Sequence, residues 1–138
     1  SVLDYSVNIL EVTDIVVCGH YGCGGIIAAM GNQPLGIVEN WLRHIKDVYR
    51  LHQRELDAIK DLEQRGNRLV ELNVIEQVFD LTKTSIVQNA WLNKKKLSVH
   101  GLVYDIKNGI LNDLGASVSS TIELPQYYKV DKKTKSKK

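Results

Sequence analysis

The sequence predicts an α/β fold, in which part of a mostly parallel β-sheet is flanked by helices and has a short antiparallel edge strand. Three observations lead to this class. Residues 15–18 form a short apolar run without a polar break, which is typical of a parallel strand buried on both faces. Long stretches elsewhere repeat apolar residues at helical spacing. Residues 108–109 read Asn-Gly, a hairpin signal that follows a second strand pattern.

Amino-acid composition excludes several other classes of protein. The chain has 138 residues, of which 43% are apolar and 25% charged, as in an ordinary globular protein. These values exclude a disordered or fibrous chain, and no apolar stretch is long enough for a membrane span. The only cysteines, Cys18 and Cys23, cannot build a disulfide scaffold, so their close spacing points to a reducing compartment or a metal.

The net charge of +2 conceals an uneven distribution. Residues 129–138 contain six lysines and one aspartate, a local charge of +5, so the rest of the chain sums to −3. We interpret residues 129–138 as a basic, disordered tail that aids solubility. Its last eight residues include no aromatic side chain for base stacking, so we expect neither a nucleic-acid nor a membrane partner.

The first elements follow from apolar spacing. Val7 and Leu10 continue an apolar face that begins at the second or third residue, which predicts a helix running to Asp14. The buried strand at residues 15–18 comes next, and a glycine-rich loop then leads into a short helix at residues 26–30. The chain does not begin with Met and already shows a helical pattern at its start, and no signal peptide is evident.

The middle of the chain is predicted to be helical. A new apolar stripe begins at residues 41–45, and residues 43–65 are mostly charged, as expected of an exposed helix or helical pair. Asp61 and Arg65 have the spacing and order of a stabilising ion pair on such a helix.

The second half predicts one long helix and a hairpin. Residues 66–67 (Gly-Asn) are expected to interrupt the preceding helix, and residues 69–90 trace the strongest helical face of the chain. Residues 97–106 are apolar on both alternating faces, as in a central strand. The Asn-Gly pair at residues 108–109 then predicts a turn into a short antiparallel strand at residues 110–111.

The predicted sheet has too few strands. Residues 15–18 are too apolar for a sheet edge, yet this chain offers few strands to flank them. We therefore expect part of the sheet to come from sequence or a subunit outside this chain. Without it, the chain would expose a sheet edge and apolar surface, and it would associate or aggregate.

Chemically active residues concentrate in the loop after the first strand. His20 and Cys23, both common zinc ligands, lie three residues apart where a parallel sheet has its ligand crevice. Gly22, Gly24 and Gly25 allow the backbone to turn sharply around an ion. The same residues also suit a glycine-rich turn with a buried thiol and a hydrogen-bonded histidine, since catalytic zinc needs at least three protein ligands.

A phosphate-binding loop is the weakest interpretation of this segment. A glycine-rich loop that opens a helix can bind phosphate. However, residues 19–25 lack both the Lys-Ser/Thr pair of a P-loop and the Gly-x-Gly-x-x-Gly spacing of a dinucleotide site.

Four stretches of the sequence read VVCGHYGCGG at residues 16–25, LGIVENWL at 35–42, ELNVIEQV at 71–78 and VHGLVYD at 99–105. In this order, they resemble the β-class carbonic anhydrases and especially their bacterial branch. The resemblance runs from residue 1 to about residue 128. It implies that residues 1–128 are a partial domain of this family, namely the C-terminal part of its sheet.

The resemblance implies zinc as the cofactor and His20 and Cys23 as two of its ligands. In the family, a C-x-D-x-R motif on an earlier strand supplies a third ligand and an Asp–Arg catalytic pair. This sequence contains no such motif, so its catalytic residues are unassigned. We expect the full-length protein to hydrate carbon dioxide reversibly to bicarbonate and this chain alone to be inactive. The alternative is a non-catalytic zinc-binding or dimerisation remnant.

The resemblance also bears on partners. It implies carbon dioxide and bicarbonate as ligands, a homo-oligomer built from dimers, and a cytoplasmic location by default. Tyr104 matches a tyrosine that lines a second, non-catalytic bicarbonate pocket in the bacterial branch. The tryptophan and arginine partners of that pocket are absent, so Tyr104 is equally suited to packing on its strand.

The other residues capable of binding are assigned structural roles. Cys18 is expected to be a buried, structural thiol. Trp41 and Trp91 are expected in the core or at an interface. Among the remaining histidines, His44 and His52 are expected on the solvated helix surface, and His100 is expected as a hydrogen-bonded core residue.

Overall fold

The computed structural model describes residues 1–131 and contains helices on a three-stranded mixed sheet. The first helix, α1, continues after Asp4 as a π-helical segment, Tyr5–Ile9. In chain order, the elements are α1 (Val2–Asp4), β1 (Asp14–His20), α2 (Gly24–Met30), α3 (Val38–Leu51), α4 (Gln53–Ala58), α5 (Leu62–Lys83), α6 (Ser85–Leu92), β2 (Ser98–Asp105) and β3 (Ile110–Asp113), followed by 3₁₀ turns at Thr121–Glu123 and Gln126–Tyr128.

The sheet has the order β1-β2-β3. Strand β1 pairs in parallel with β2, from Asp14 opposite Ser98 to His20 opposite Tyr104. Strand β3 pairs antiparallel with β2 after the turn at Gly109, which has a φ of 75°. The α/β class, the central position of β2 and the short antiparallel strand are thus confirmed.

Helix α5 packs closely on one face of β1 and β2 because glycines leave room for it. A Cβ atom on Gly19 would lie 2.7 Å from Val74 Cγ2 and 3.0 Å from Val70 Cγ1. A Cβ atom on Gly101 would lie 3.2 Å from both Val74 and Val78. The buried valines of α5 therefore lie directly over the strand pair, and this contact joins the two hydrophobic clusters of the core.

Two predicted helix boundaries are wrong. Residues 66–67 do not interrupt a helix, because Gly66 is buried inside α5 near Met30, where a small residue allows close packing. Residues 69–90 do not form one helix, because Thr84 has extended backbone angles and separates α5 from α6. Its hydroxyl accepts a hydrogen bond from Val87 N at 3.4 Å and so caps the new helix.

Asp14 and Asp61 also have other roles than predicted. The first helix ends at Ile9, and Asp14 begins β1. Asp61 caps α5 by accepting a hydrogen bond from Gln64 N at 2.8 Å. Arg65 does not pair with it, because the guanidinium donates to the carbonyl of Ile59 through Nε and Nη2 at 2.9 and 2.6 Å.

Strand β1 lies at the edge of the described sheet, with β2 as its neighbour. The face of β1 opposite α5 is open to solvent, and Val16 on it is 52% exposed. An exposed edge and apolar surface were expected from the sequence. The strand that would cover them from outside this chain stays a prediction.

The C-terminal segment is attached to α6 through Gln88. This fully buried side chain donates from Nε2 to the carbonyl of Tyr128 at 2.9 Å and accepts from Val130 N at 2.8 Å. Ordered contacts therefore continue to Val130, while residues 132–138 of the predicted tail lie outside the described residues. Among the described helices, none has the length and apolar character needed to cross a membrane.

Candidate metal centre

The carboxyl end of β1 places His20 and Cys23 on either side of a tight turn. His20 is the last residue of the strand, and Cys23 is the residue before the first turn of α2. Both side chains are half-buried. The thiol of Cys23 makes no capping hydrogen bond to α2, so its sulfur is available as a ligand.

The imidazole of His20 is oriented by the backbone. Its Nδ1 lies 3.0 Å from the carbonyl oxygen of Tyr21. A carbonyl can only accept, so Nδ1 carries the hydrogen, and in the neutral imidazole Nε2 then presents a lone pair. No hydrogen bond to Nε2 is found within residues 1–131. A carbonyl partner on the far ring nitrogen is the usual arrangement of a zinc-binding histidine.

The glycines shape the loop in different ways. Gly22 has a φ of 67°, a left-handed conformation that most other residues adopt only at a cost. Gly24 opens α2 with no atom near its missing side chain. Gly25 lies against the ring of Trp41, where a Cβ atom would come within 3.2 Å of the indole.

A cavity of about 390 Å³ adjoins Cys23 between α2 and the start of α5. Its walls are largely apolar, with Ile26 and Met30 among the lining residues, and Arg65 adds a charged group. Cys23 lines this cavity and His20 does not. A second cavity of about 280 Å³ lies on the Tyr21 side of the same loop.

Tyr21, between the two candidate ligands, is tied to α5. Its hydroxyl donates to Glu71 Oε1 at 2.8 Å, and Arg68 Nη1 donates to Glu71 Oε2 at 2.7 Å. Burial, and then the hydrogen bond to the Glu71 carboxylate, raise the pKa of Tyr21 to about 12. The phenol therefore stays protonated and continues to donate throughout the neutral range.

Comparisons with known proteins decide the family. The family model "Carbonic anhydrase" matches residues 1–111. The chain belongs to the carbonic anhydrase family. A carbonic anhydrase of Emericella nidulans is 54% identical over 114 residues, which cover 83% of this chain and 50% of that protein.

Solved β-carbonic anhydrases share the fold. The enzyme CafA of Aspergillus fumigatus superposes with a TM-score of 0.81 and 36% identity, covering 94% of this chain and 62% of that one. A Sordaria macrospora enzyme from a study of two tetrameric β-carbonic anhydrases gives a TM-score of 0.80 and 35% identity, covering 86% and 60%. The resemblance seen in the sequence is thus confirmed. The chain spans about half the length of the curated relatives it matches.

The described residues of this carbonic anhydrase chain bring together fewer candidate metal ligands than catalytic zinc requires. Within residues 1–131, no group of three or more histidine, cysteine or acidic side chains could hold a metal ion. His20 and Cys23 are the right chemical types for zinc, and the free Nε2 and the uncapped thiol fit it. As zinc ligands they would number two, one fewer than the three protein ligands that catalytic zinc requires.

Cys18, near the candidate ligands, differs in exposure from what was expected. Cys18 is exposed on the open face of β1 and is not a buried thiol, because no described element covers that face at this position. Tyr104 is opposite His20 in the strand register and 39% exposed. A bicarbonate pocket at Tyr104 stays a prediction.

Among the tryptophans and the helical histidines, the observed burial agrees with the expectation for some residues and differs from it for others. Trp91 is half-buried in the core and donates to the carbonyl of Leu97 at 2.8 Å, whereas Trp41 is 60% exposed and does not belong to the core. His44 is exposed as expected. His52 is not fully solvated, since it is half-buried and hydrogen-bonded to Glu76 at 3.0 Å.

His100 forms the predicted hydrogen bonds but is only half-buried. Its Nδ1 lies 2.9 Å from Ser117 Oγ and its Nε2 lies 3.0 Å from Asp14 Oδ1. Both ring nitrogens are engaged, which leaves no lone pair for a metal.

Sequence reasoning assigned neither Glu71 nor Asn67 to the site. Asn67 Oδ1 accepts a long hydrogen bond from Gly22 N at 3.4 Å, so both residues contact the loop from one face of α5. Their i, i+4 spacing was the available signal. It gains meaning only when the loop, some fifty residues earlier, is placed beside the helix.

Proposed function

We propose that the complete protein is a zinc carbonic anhydrase that converts carbon dioxide reversibly to bicarbonate, with His20 and Cys23 as two of the zinc ligands. The observation that carries the proposal is the His20 ring, whose Nδ1 is held by a backbone carbonyl while Nε2 is left for a metal. The membership of the chain in the carbonic anhydrase family supports the reaction.

The described residues would bind the metal and orient its ligands. His20 would supply a neutral imidazole nitrogen and Cys23 a thiolate sulfur. Bound Zn²⁺ supplies a Lewis acid that makes a water molecule acidic, an effect for which carbonic anhydrase itself is the standard example. Gly22 adopts the left-handed conformation of the turn between the two residues, and the glycines at positions 24 and 25 add no side chain to the loop.

We propose that the remaining zinc ligand and the catalytic acid–base groups come from sequence outside this chain. Two ligands are fewer than catalytic zinc requires, and no third joins them within residues 1–131. This chain by itself should therefore show little or no hydration activity. The exposed edge of β1 supports the alternative of a non-catalytic, zinc-binding or dimerising remnant of the fold.

Stopped-flow measurement of carbon dioxide hydration, with added zinc, tests this proposal. We expect the complete gene product to show zinc-dependent hydration that a chelator abolishes, and the 138-residue chain to show almost none. A robust zinc-dependent rate from the 138-residue chain would refute the requirement for outside ligands. A zinc-loaded but inactive complete product would favour the non-catalytic alternative.

The two cysteines provide an internal control for the ligand assignment. Cys18 is exposed and Cys23 is half-buried in the candidate site. In the complete product, zinc should protect Cys23 from a thiol reagent and leave Cys18 reactive. Cys23→Ser should lose zinc, while Cys18→Ser should retain it. Equal zinc loss in both variants would contradict the assignment.

A homo-oligomer is the partner we propose, in a cytoplasmic setting. The open face and edge of β1, where Val16 is exposed, give the chain a surface that association would cover. The Sordaria relatives named as tetrameric support an assembly of this kind. Light scattering on the purified chain should report a mass above 15.6 kDa, and a monodisperse monomer would contradict the proposal.

A further inference from the structure

The orientation of His20 depends on a single peptide group, the one joining Tyr21 to Gly22. Its carbonyl oxygen faces His20 Nδ1 at 3.0 Å, and its N–H points toward Asn67 Oδ1 at 3.4 Å. Because Gly22 lies in the left-handed region and has no side chain, this peptide plane can rotate at little steric cost. Rotation would remove the acceptor from Nδ1 and release the ring.

The Tyr21 side chain restrains that rotation. Its hydroxyl reaches α5 and donates to Glu71 Oε1 at 2.8 Å, while its backbone N–H donates to the carbonyl of Tyr104 on β2 at 3.1 Å. The residue is therefore fixed at both its backbone and its side chain. The carbonyl that orients His20 belongs to the same residue.

Glu71 is held in turn by Arg68. The guanidinium donates from Nη1 to Glu71 Oε2 at 2.7 Å and from Nε to Glu55 Oε1 at 2.6 Å. Both carboxylate oxygens of Glu71 are thus occupied, one by Tyr21 and one by Arg68. This arrangement sets the carboxylate in one orientation and gives Tyr21 a fixed acceptor.

We propose that Tyr21 and Glu71, supported by Arg68, are positioning residues that hold His20 as its Nδ1–H tautomer with Nε2 presented to zinc. The metal part of this inference rests on the proposed function, whereas the tautomer of His20 does not. Hydrogen bonding at one ring nitrogen sets which nitrogen carries the proton. Loss of such outer partners typically lowers metal affinity by about 10–100-fold.

The chain offers a matched control for a tyrosine–carboxylate bond. The hydroxyl of Tyr49 donates to Asp57 Oδ1 at 2.6 Å, and Tyr49 lines the same cavity as Cys23 without a hydrogen bond to the loop among the described residues. Tyr21→Phe and Tyr49→Phe remove one hydroxyl each and keep the ring. A general loss of stability would appear in both variants, and a change at His20 only in the first.

The experiment measures the tautomer of His20 in the 138-residue chain and the zinc affinity of the complete protein. Nitrogen-15 NMR, at a pH where the imidazole is neutral, reports which ring nitrogen carries the hydrogen. Competition with a chromophoric chelator, using Zn²⁺ alone as the probe, reports affinity. We expect Nδ1–H to dominate in the wild type and in Tyr49→Phe. In Tyr21→Phe, the Nδ1–H fraction should fall and zinc should bind about 10-fold more weakly.

A second variant keeps the inference testable if Tyr21→Phe folds poorly. Glu71→Gln retains an acceptor of similar shape but removes the charge that Arg68 holds, so we expect a smaller change in the same direction. If both variants keep the wild-type tautomer, the positioning role is overturned. If no form of the complete protein binds zinc yet the tautomer responds to Tyr21→Phe, the positioning role stands and the metal assignment fails.

Discussion

Two histidines on the same face of adjacent strands have opposite hydrogen-bonding states. His20 lies at the carboxyl end of β1, and His100 lies beside Val16 near its amino end, about 13 Å away along the strands. His20 uses one ring nitrogen, whereas His100 uses both, with Ser117 and Asp14. Residue type and strand face are the same, so the surrounding hydrogen bonds separate a potential ligand from a structural residue.

The two ends of the strand pair also differ in how they are fixed. At the carboxyl end, α5 contacts the loop through Glu71 and Asn67, and no described residue bonds to Nε2 of His20. At the amino end, side chains hold one another, with Thr13 donating to Asp14 at 2.7 Å. A ligand-binding residue must be held in place by its neighbours and still have an atom that no protein group bonds. Of the two ends of this strand pair, the carboxyl end meets both conditions in the described residues.

Replacing each histidine in the complete protein is the strongest test of this difference. His20→Ala should lower zinc affinity by more than about 100-fold, since loss of an outer partner alone costs about 10–100-fold. His100→Ala should leave zinc affinity unchanged, because both of its ring nitrogens are already bonded. Chelator competition measures both. Equal losses would show that the two ends are not distinct.

The close approach of α5 gives the next largest effect. Gly19→Ala would place a Cβ atom 2.7 Å from Val74 Cγ2, so the helix must move away from β1. We expect a destabilisation of about 1–3 kcal/mol in urea denaturation. Gly24→Ala is the control, because no atom lies within 4 Å of its Cβ position. Its midpoint of urea denaturation should equal that of the wild type or lie at a higher urea concentration. Wild-type stability in Gly19→Ala would mean that α5 need not approach so closely.

Two glycines in the left-handed region allow the effect of backbone strain on stability to be separated from an effect on zinc binding. Gly22 and Gly36 have φ values of 67° and 64°, and neither Cβ position has a neighbour within 4 Å. An alanine at either position should cost about 1–2 kcal/mol of stability through backbone strain. Only Gly22→Ala should also weaken zinc binding in the complete protein. A similar loss of zinc affinity in Gly36→Ala would assign the effect to stability alone.

The strands and the hairpin could be predicted because their signals are local. The apolar run at residues 15–18 and the Asn-Gly turn at residues 108–109 are specified by neighbours in sequence, and both elements occur where predicted. Helix boundaries depended on packing instead. Gly66 continues α5 because it packs near Met30, and no local pattern identifies that contact.

Part of the candidate site could also be predicted from the sequence, because that part is local. His20 and Cys23 form a motif four residues long, so the sequence was sufficient to select them. Glu71 contacts the loop from fifty residues away, through the hydroxyl of Tyr21, and only the fold places α5 beside that tyrosine. The exposure of Cys18 was missed because apolar neighbours in a strand do not reveal which face a helix covers.

The smallest expected effect concerns the acid stability of the amino end. Hydrogen bonds from Thr13, and then from His100, hold the pKa of Asp14 below its ordinary value of 3.8. Because this carboxyl binds protons less readily in the folded chain, its stabilising contribution is present above pH 3.8 and is lost as the pH falls below that value. Asp14→Asn should therefore flatten the acid side of the stability curve.

Thr13→Val separates the two donors to this carboxylate. It removes the larger cause of the lowered pKa of Asp14 and keeps His100 in place. Urea denaturation at a series of pH values below 5 should give Thr13→Val a curve between those of the wild type and Asp14→Asn. If Asp14→Asn follows the wild-type curve instead, the Asp14–His100 pair does not stabilise this end of the sheet. The hydrogen bond between His100 and Asp14 would then contribute nothing measurable to the free energy of unfolding.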